Sequence, residues 1–202
     1  MTLAPSLTAV ILAGGASSRM GAPKALLTWN GEPVAVRLAR MFVEALGNAR
    51  LVLGHDANAI RAALPPLVRA STVVNYAPQR GMLSSLQCGL RAVPHAAAGI
   101  FFLPVDYPAI SASTIAAMRD AWMATPSAQI LLPRSAGRRG HPVLISRAIA
   151  EELLRLPPEA AAHVVIRADE SRIHYVDVDD PAIHRDADDA ASFTALQREF
   201  GG

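Results

Sequence analysis

An adjacent pair of glycines, an arginine and a lysine lie close together in the segment LAGGASSRMGAPK, residues 12–24, directly after an apolar and β-branched run. We refer to this segment as the glycine loop. Glycines that follow a strand let backbone N–H groups approach and surround anionic oxygens. Arg19 and Lys24 add positive charge and hydrogen-bond donors of the kind that bind a triphosphate. The glycine loop is therefore predicted to bind phosphate, with a plain surface turn as the alternative. Its candidate nucleotide-binding residues are Leu12, Ala13, Gly14 and Gly15.

Two common phosphate-binding loops do not fit this spacing. A Walker A loop follows its lysine with a serine or threonine that binds magnesium, whereas Lys24 is followed by Ala25. The dinucleotide fingerprint needs three glycines at other spacings. The sequence therefore disfavours a kinase and a dehydrogenase.

A single acid ends the most apolar run of the middle of the chain, GIFFLPVDYP at residues 99–108. Ligands in open α/β sheets bind outside the carboxyl ends of the strands, so Asp106 is expected in the same crevice as the glycine loop. Magnesium typically takes one or two carboxylates and completes its shell with phosphate and water. Asp106 is therefore a candidate magnesium ligand, with a turn or capping aspartate as the alternative.

The elements that must position these residues alternate along the chain. Hydrophobic period and Gly/Pro punctuation predict strands at 8–13, 50–53, 72–74, 99–103, 129–132, 142–145 and 173–178. They predict helices at 34–46, 57–64, 82–93, 111–123, 147–156, 160–168 and 190–200. Residues 134–140 are expected to form a basic loop. Alternation of this kind predicts an α/β fold of the Rossmann-like, three-layer α/β/α type with a mostly parallel mixed sheet.

The length of 202 residues predicts one domain, residues 1–202, with a nucleotide-binding half at about 8–108 and an acceptor-binding half at about 109–200. A hydrophobic content of 51% with 18% charged residues argues against disorder. The net charge of +2 disfavours broad nucleic-acid binding. The run 7–13 is too short to span a bilayer and has no basic residue before it, so a cytoplasmic protein without membrane partners is expected.

The glycine loop resembles the LAGGxSxRMGxxK signature of the MobA-like nucleotidyltransferases, which are relatives of the sugar-nucleotide pyrophosphorylases. Both glycines, the arginine, the Met-Gly pair and the lysine occur in the order of that signature. The resemblance implies the nucleotide-diphospho-sugar transferase fold and a magnesium-dependent nucleotidyltransferase. It assigns Arg19, Lys24 and Asp106 to catalysis, with Asp106 as a ligand of Mg²⁺.

A second stretch, GMLSSLQCGL at residues 81–90, resembles the family segment G-(L/M)-x-x-S-(L/I)-x-x-G, which borders the base and ribose. A glycine before a helix N-terminus with two hydroxyls can bind an anion or a ribose. Gly81, Ser84 and Ser85 are therefore candidate nucleotide-binding residues, with Asn75 as a further candidate. The alternative for each serine is helix capping and ordinary packing.

Two C-terminal stretches add candidates. The segment GRRGHPVL, residues 137–144, resembles the GxxGHPxxF/I segment of the molybdenum cofactor cytidylyltransferase branch, which assigns Arg138, Arg139 and His141 to acceptor binding. Solvated loop charges are the alternative for the two arginines. Residues 180–192 match in part the ending DPxxxxDIDTPED of that branch and depart from it at 189–191. The match makes Asp188 a candidate second magnesium ligand and leaves Asp186 open, the alternative being an acid at a helix start.

The resemblance implies transfer of a nucleoside monophosphate from a nucleoside triphosphate, with CTP favoured, to a phosphate-bearing acceptor such as molybdopterin. Because such an acceptor is already an anion, no general base is required. Alternatives are GTP as donor, a sugar phosphate as acceptor, and a nucleotide-binding carrier that hands molybdenum cofactor to a molybdoenzyme or its chaperone.

Overall fold

The computed structural model describes residues 6–17 and 20–201 and contains a central sheet with helices on both faces. The strands are β1 (Ser6–Ala13), β2 (Thr28–Trp29), β3 (Glu32–Pro33), β4 (Arg50–Leu53), β5 (Thr72–Val74), β6 (Ala97–Pro104), β7 (Ile130–Ser135), β8 (Arg138–Arg139), β9 (Val143–Ser146) and β10 (Ile173–Asp177). The helices are α1 (Val34–Leu46), α2 (Ala57–Ala63), α3 (Pro66–Ala70), α4 (Met82–Ala92), α5 (Ala112–Ala124), α6 (Arg147–Arg155), α7 (His163–Ile166) and α8 (Ala190–Phe200).

The main sheet has the strand order β10-β7-β9-β6-β1-β4-β5, with β8 paired to β7. β1 is parallel to β4 and β6, and β7 is parallel to β10. β9 runs antiparallel to both of its neighbours, β6 and β7. The sheet is therefore mixed and mostly parallel, as the alternation of elements predicted.

Side chains of the central strand β1 alternate between two hydrophobic cores. Ala9 and Ile11 pack in one core with α1, α5 and α8, whereas Val10 and Leu12 pack in the other with α4, α6 and α7. A strand with near-continuous aliphatic sequence is what a sheet covered on both faces requires. The three-layer prediction is confirmed.

Three local predictions differ from the structure. The expected basic loop is a hairpin, because Ala136 and Gly137 have φ of 49° and 76° and form a two-residue turn between β7 and β8. The helix predicted at 160–168 is limited to His163–Ile166. The Pro65-Pro66 pair ends α2 but also starts the unpredicted α3, since proline fits the first turn of a helix. Across the two described ranges, no helix is both long and apolar enough to cross a membrane.

Candidate active site

The carboxyl ends of β1 and β6 lie side by side at the centre of the sheet. The next strand of the main sheet along the chain, β4, pairs with one side of β1. The later strand β6 pairs with the other side of β1, so the strand order of the sheet reverses at β1. Ligands in open α/β sheets bind in the crevice at such a point. The backbone N–H of Val105, just after β6, donates a 2.9 Å hydrogen bond to the carbonyl oxygen of Leu12 in β1. This contact places Asp106 beside the start of the glycine loop.

A cavity of about 390 Å³ opens at this point, and we refer to it as the loop cavity. Its walls combine the glycine loop with the residues that follow β4 and β6, the start of α4 and the segment before α8. The sequence-predicted residues that line it are Leu12, Ala13, Gly14, Gly15, Lys24, Gly81, Ser85, Asp106 and Asp188. Arg19 lies outside the described residues, so its role stays a prediction.

The glycine loop and the turn after β4 approach each other backbone to backbone. A Cβ on Gly54 would lie 2.7 Å from the carbonyl oxygen of Gly14, and a Cβ on Gly14 would lie 2.7 Å from the Oγ atom of Ser85. The backbone N–H of His55 donates a 3.2 Å hydrogen bond to the carbonyl oxygen of Gly14. A Cβ on Gly54 would therefore clash with the backbone, and one on Gly14 would displace the Ser85 hydroxyl, so close packing favours glycine at both positions.

The ammonium group of Lys24 lies between two carboxylates. Its Nζ atom is 3.1 Å from Asp188 Oδ1 and 3.5 Å from Asp106 Oδ2, and the Lys24 side chain is only 15% exposed. Lys24 is also the single lysine in the chain. Burial raises the pKa of Asp106, and the Lys24 charge opposes that rise. The three groups therefore form a charged cluster in the wall of the loop cavity.

The backbone brings Asp188 to this cluster from the C-terminal part of the chain. The N–H of Ala187 donates a 2.7 Å hydrogen bond to the carbonyl oxygen of Asp106. Next to Asp188, the side chain of Asp189 caps the start of α8 in a reciprocal capping box with Ser192. Asp186, the other candidate acid, is exposed and does not line the cavity.

Comparison with known proteins decides the family. The family model for the MobA-like NTP transferase domain matches residues 9–174. The chain belongs to the MobA-like NTP transferase family. It is thus a nucleotidyltransferase, and its sheet has the nucleotide-diphospho-sugar transferase architecture.

Three similar proteins illustrate the range of this family. A probable molybdenum cofactor guanylyltransferase from Rhodopirellula baltica is 32% identical over 69% of this chain and 67% of the relative. Nicotine blue oxidoreductase from Paenarthrobacter nicotinovorans is 31% identical over 91% of this chain and 93% of the relative. The crystal structure of Rv0371c from Mycobacterium tuberculosis H37Rv has a TM-score of 0.82 at 28% identity, covering 96% of this chain and 99% of that one. Rv0371c has also been solved in complex with manganese.

MobA-like nucleotidyltransferases generally use a divalent metal ion, and the charged cluster fits one. Asp106 Oδ1 is sealed from solvent and has no hydrogen-bond partner within the described part of the chain. An uncompensated carboxylate oxygen of this kind is a hard ligand that suits Mg²⁺ or Mn²⁺. The same described residues contain no group of three His, Cys, Asp or Glu side chains that could hold a metal. Two carboxylates with phosphate and water oxygens are the composition expected for Mg²⁺.

Two predicted nucleotide-binding residues do not line the loop cavity of this MobA-like domain. The amide of Asn75 donates to Ser84 Oγ (2.9 Å) and Ser85 Oγ (3.0 Å), and Ser84 Oγ donates to the carbonyl oxygen of Gly81 (2.8 Å). Asn75 and Ser84 are buried, at 8% exposure each. Asn75 and Ser84 therefore stabilise the turn at Gly81, which has a φ of 101°. Ser85 lines the loop cavity.

The predicted acceptor residues lie together elsewhere. Arg138, Arg139 and His141 line a second cavity of about 480 Å³, which we call the acceptor-side cavity. The ring of His184 holds the β7–β8 hairpin, since its two nitrogens lie 3.1 Å from the carbonyl oxygens of Arg139 and Ser135. Gly81 and Met82 line both cavities and form the wall between them.

Sequence reasoning missed two residues of this MobA-like site. His55 is not among the candidates predicted from the sequence, yet it lines the loop cavity just after β4. The rule that ligands bind beyond the carboxyl ends of strands applies to β4 as well as β1 and β6, and it could have identified His55. Tyr107 lines the acceptor-side cavity, and its position next to Asp106 was the available signal.

Proposed function

We propose that this enzyme transfers GMP from GTP, as the Mg²⁺ complex, to a phosphate-bearing acceptor of the molybdopterin type and releases pyrophosphate. The observation that carries the proposal is the convergence of Lys24, Asp106 and Asp188 on the cavity walled by the glycine loop. The sequence alone favours CTP as the donor. The names of relatives favour GTP instead, because several are called molybdenum cofactor guanylyltransferase.

The donor triphosphate is assigned to the loop cavity. Gly14 and Gly15 both line this space, and a Cβ on Gly15 would meet no atom within 4 Å, so phosphate oxygens can approach the main chain there without meeting a side chain. Lys24 supplies the positive charge that binds and stabilises the leaving pyrophosphate, and Arg19 is proposed to share this role. The Nζ atom of Lys24 lies 3.1 Å from Asp188 Oδ1 in the wall of the loop cavity, a position from which it can contact a phosphate oxygen.

Asp106 and Asp188 are proposed to hold the magnesium ion, with Asp106 contributing the sealed oxygen that lacks a partner in the described structure. Bound Mg²⁺ neutralises negative charge on the triphosphate and on the leaving pyrophosphate. Asp188 belongs to the half of the chain predicted to bind the acceptor, yet it lines the loop cavity. We therefore propose that the halves 8–108 and 109–200 share the metal site. The acceptor-side cavity is likewise lined by residues of both halves, among them Phe102 and Tyr107.

The acceptor is assigned to the cavity beyond Gly81 and Met82, where Arg138, Arg139 and His141 contact it. An oxygen of the acceptor phosphate attacks the α-phosphorus, and the bond between that phosphorus and the bridging oxygen of the β-phosphate breaks. Since the attacking oxygen already carries charge, no residue is needed to remove a proton. Positioning across the shared wall and charge neutralisation by Lys24 supply the catalysis. The product is then available to a molybdoenzyme or its chaperone.

A second candidate keeps the reaction and changes the donor to CTP. The specific observation in its favour is the Gly140-His141-Pro142 segment, which resembles the cytidylyltransferase branch and lines the acceptor-side cavity with its Gly and His. The two candidates differ only in the base that the loop cavity accepts.

The test measures pyrophosphate release with purified protein, Mg²⁺, molybdopterin and each of the four nucleoside triphosphates in turn. GTP-dependent release supports the main proposal, and CTP-dependent release supports the second candidate. Absence of release with all four triphosphates overturns both. In that case the oxidoreductase named among the relatives becomes the class to assay.

The nucleotide site is tested separately by amine labelling. Because Lys24 is the single lysine, pyridoxal 5′-phosphate with borohydride should modify one side chain, and GTP with Mg²⁺ should protect it. Lys24→Gln should abolish the side-chain labelling, and Arg198→Gln, which loses a positive charge on an exposed surface of α8, should be labelled and protected as the wild type is. Labelling of Lys24 that is unaffected by every nucleotide would contradict the assignment of the loop cavity.

A further inference from the structure

The hydroxyl of Ser17 bonds to the backbone of Lys24 across the glycine loop. Ser17 Oγ accepts a 3.0 Å hydrogen bond from the backbone N–H of Lys24, which lies seven positions further along the chain. The carbonyl oxygen of Ser17 accepts a second hydrogen bond, 2.9 Å long, from the N–H of Met20. Both oxygens of Ser17 therefore hold the part of the loop that leads to Lys24.

The backbone N–H of Lys24 needs an acceptor from outside its own turn. Lys24 begins a short 3₁₀ turn, Lys24–Leu26, and the first N–H groups of a helical turn have no acceptor within it. The preceding residue, Pro23, supplies no side-chain cap. On the other side, Ala25 is only 2% exposed and packs in the hydrophobic core. Lys24 is therefore fixed between the Ser17 hydroxyl and a buried alanine.

Ser17 makes these contacts in a backbone conformation that serine rarely adopts. Its φ is 49°, in the left-handed region, where asparagine, aspartate and histidine are enriched and glycine fits without steric cost. Unfavourable conformations of this kind persist where the surrounding structure holds them, and they cluster at functional sites. The backbone alone would favour glycine at this position, so the hydroxyl is the part of Ser17 that calls for a functional explanation.

The position of the Lys24 backbone decides what its side chain can reach. Nζ lies 3.1 Å from Asp188 Oδ1 and 3.5 Å from Asp106 Oδ2, and these carboxylates come from two other segments of the chain. Because a lysine side chain is a flexible four-carbon stem, a fixed backbone narrows the positions that Nζ samples. Ser17 also lines the loop cavity, so this hydrogen bond lies beside the space assigned to the triphosphate.

We propose that Ser17 is a positioning residue that acts through Lys24. Its hydroxyl fixes the Lys24 backbone, and the ammonium group is thereby held where it faces the leaving pyrophosphate. The effect on turnover rests on the proposed function, in which Lys24 stabilises that leaving group. The effect on the position of the Lys24 side chain does not, because the Ser17 hydrogen bond joins two residues of the chain itself.

The kinetic test uses Ser17→Gly, which removes the hydroxyl and relieves the φ of 49°. We expect kcat for pyrophosphate release to fall roughly tenfold, and KM for the magnesium nucleotide to change less than about threefold, because a transition-state contact is weakened. Asn30→Gly should keep the wild-type kcat and is the matched control, since Asn30 has the same φ of 49° and lines neither cavity. A wild-type kcat in Ser17→Gly overturns the proposal.

A double-mutant cycle shows whether Ser17 acts through Lys24. In the Lys24→Gln background, Ser17→Gly should lower kcat by less than about twofold, because no ammonium group remains to be positioned. A loss as large as in the wild-type background would mean that Ser17 acts independently of Lys24, and it overturns the proposal. If Ser17→Gly does not fold, Ser17→Ala, which keeps the Cβ and removes only the hydroxyl, completes the same cycle.

A measurement without nucleotide separates this proposal from the proposed function. Reductive methylation with formaldehyde uses a small neutral reagent, and its rate at Lys24, the single lysine, is followed by mass spectrometry. Ser17→Gly should be methylated roughly fivefold faster than the wild type, because the ammonium group leaves its two carboxylates more often. Asn30→Gly should match the wild type.

The outcomes of the methylation experiment are distinct. Equal rates at Lys24 in Ser17→Gly and in the wild type overturn the proposal. Faster methylation in Ser17→Gly, with no pyrophosphate release from any nucleotide by the wild type, supports the positioning of Lys24 and contradicts the proposed function alone.

Discussion

The backbone N–H of Ala187 donates a 2.7 Å hydrogen bond to the carbonyl oxygen of Asp106. The two residues lie far apart in sequence, yet this contact fixes Asp188 next to the strand end that carries Asp106. The same C-terminal segment is anchored by the carboxylate of Asp180, which accepts hydrogen bonds from Ser111 and from Thr114 Oγ1, the latter at 2.7 Å. The geometry of the charged cluster therefore depends on a buried acid outside it.

Replacement of Asp180 should weaken the fold. Asp180→Ala leaves buried donors on Ser111 and Thr114 without an acceptor, and we expect the free energy of unfolding to fall by about 3 kcal/mol. The measurement is urea unfolding followed by circular dichroism. Asp179→Ala, at an exposed neighbouring position, should change stability by less than about 0.5 kcal/mol. Equal losses in the two variants would show that the Asp180 hydrogen bonds are not stabilising.

Replacement of Lys24 should strengthen metal binding in the absence of nucleotide. The Lys24 ammonium lies between Asp106 and Asp188 and opposes a second cation there. Lys24→Gln should therefore raise the affinity for Mn²⁺ alone roughly tenfold, measured by electron paramagnetic resonance of free Mn²⁺. Lys24→Arg keeps the charge and is the control. A Lys24→Gln variant with unchanged Mn²⁺ affinity contradicts the electrostatic argument.

Replacement of Asp106 should separate stability from activity. Burial raises the pKa of Asp106, which means that its ionised form destabilises the metal-free protein. Asp106→Asn should raise the melting temperature in EDTA by about 2–4 °C and lower turnover by about 10³-fold. Asp179→Asn, at an exposed acid away from the cluster, is the control. A lower melting temperature for Asp106→Asn than for the wild type is the contrary outcome.

Close packing of the glycine loop predicts a coupled pair of substitutions. A Cβ on Gly14 would lie 2.7 Å from Ser85 Oγ but at an ordinary 3.5 Å from Ser85 Cβ. Gly14→Ala should destabilise the protein by about 1–3 kcal/mol. In a double-mutant cycle, the Gly14→Ala/Ser85→Ala variant should be about 1 kcal/mol more stable than the sum of the two single losses predicts. Gly15→Ala, where a Cβ meets no atom within 4 Å, is the control. Strict additivity would remove the steric explanation.

The buried imidazole of His141 predicts a pH dependence of stability. Its pKa of about 4 in the folded state lies below the unfolded value of 6.5, so the unfolded chain takes up a proton first as the pH falls. The stability that comes from a neutral His141 is fully present above pH 6.5 and is lost between pH 6.5 and 4, on the order of 3 kcal/mol. His141→Phe should lose this component when urea unfolding is compared at pH 7 and pH 4.5. An unchanged difference between the two pH values contradicts it.

The fold and the centre of the site could be predicted because their signals are local. The glycine loop and Asp106 each follow an apolar strand, and strand ends of a parallel sheet meet at one edge. The choice of Asp188 over Asp186 as the residue facing the cavity depends on the Ala187 hydrogen bond, which pairs distant segments and leaves no local pattern. The positioning role of Asn75 and Ser84 is a tertiary hydrogen-bond network and is equally invisible in sequence.

The wall formed by Gly81 and Met82 belongs to both cavities, so the two cavities are direct neighbours. If they hold the donor and the acceptor as proposed, a single molecule that joins a nucleotide to a phosphate-bearing acceptor through a short linker would reach both sides at once. Once one end is seated, the other is held near its pocket at a high effective concentration, so the joined compound gains affinity from the architecture itself. This partition makes the enzyme a natural target for bisubstrate inhibitors.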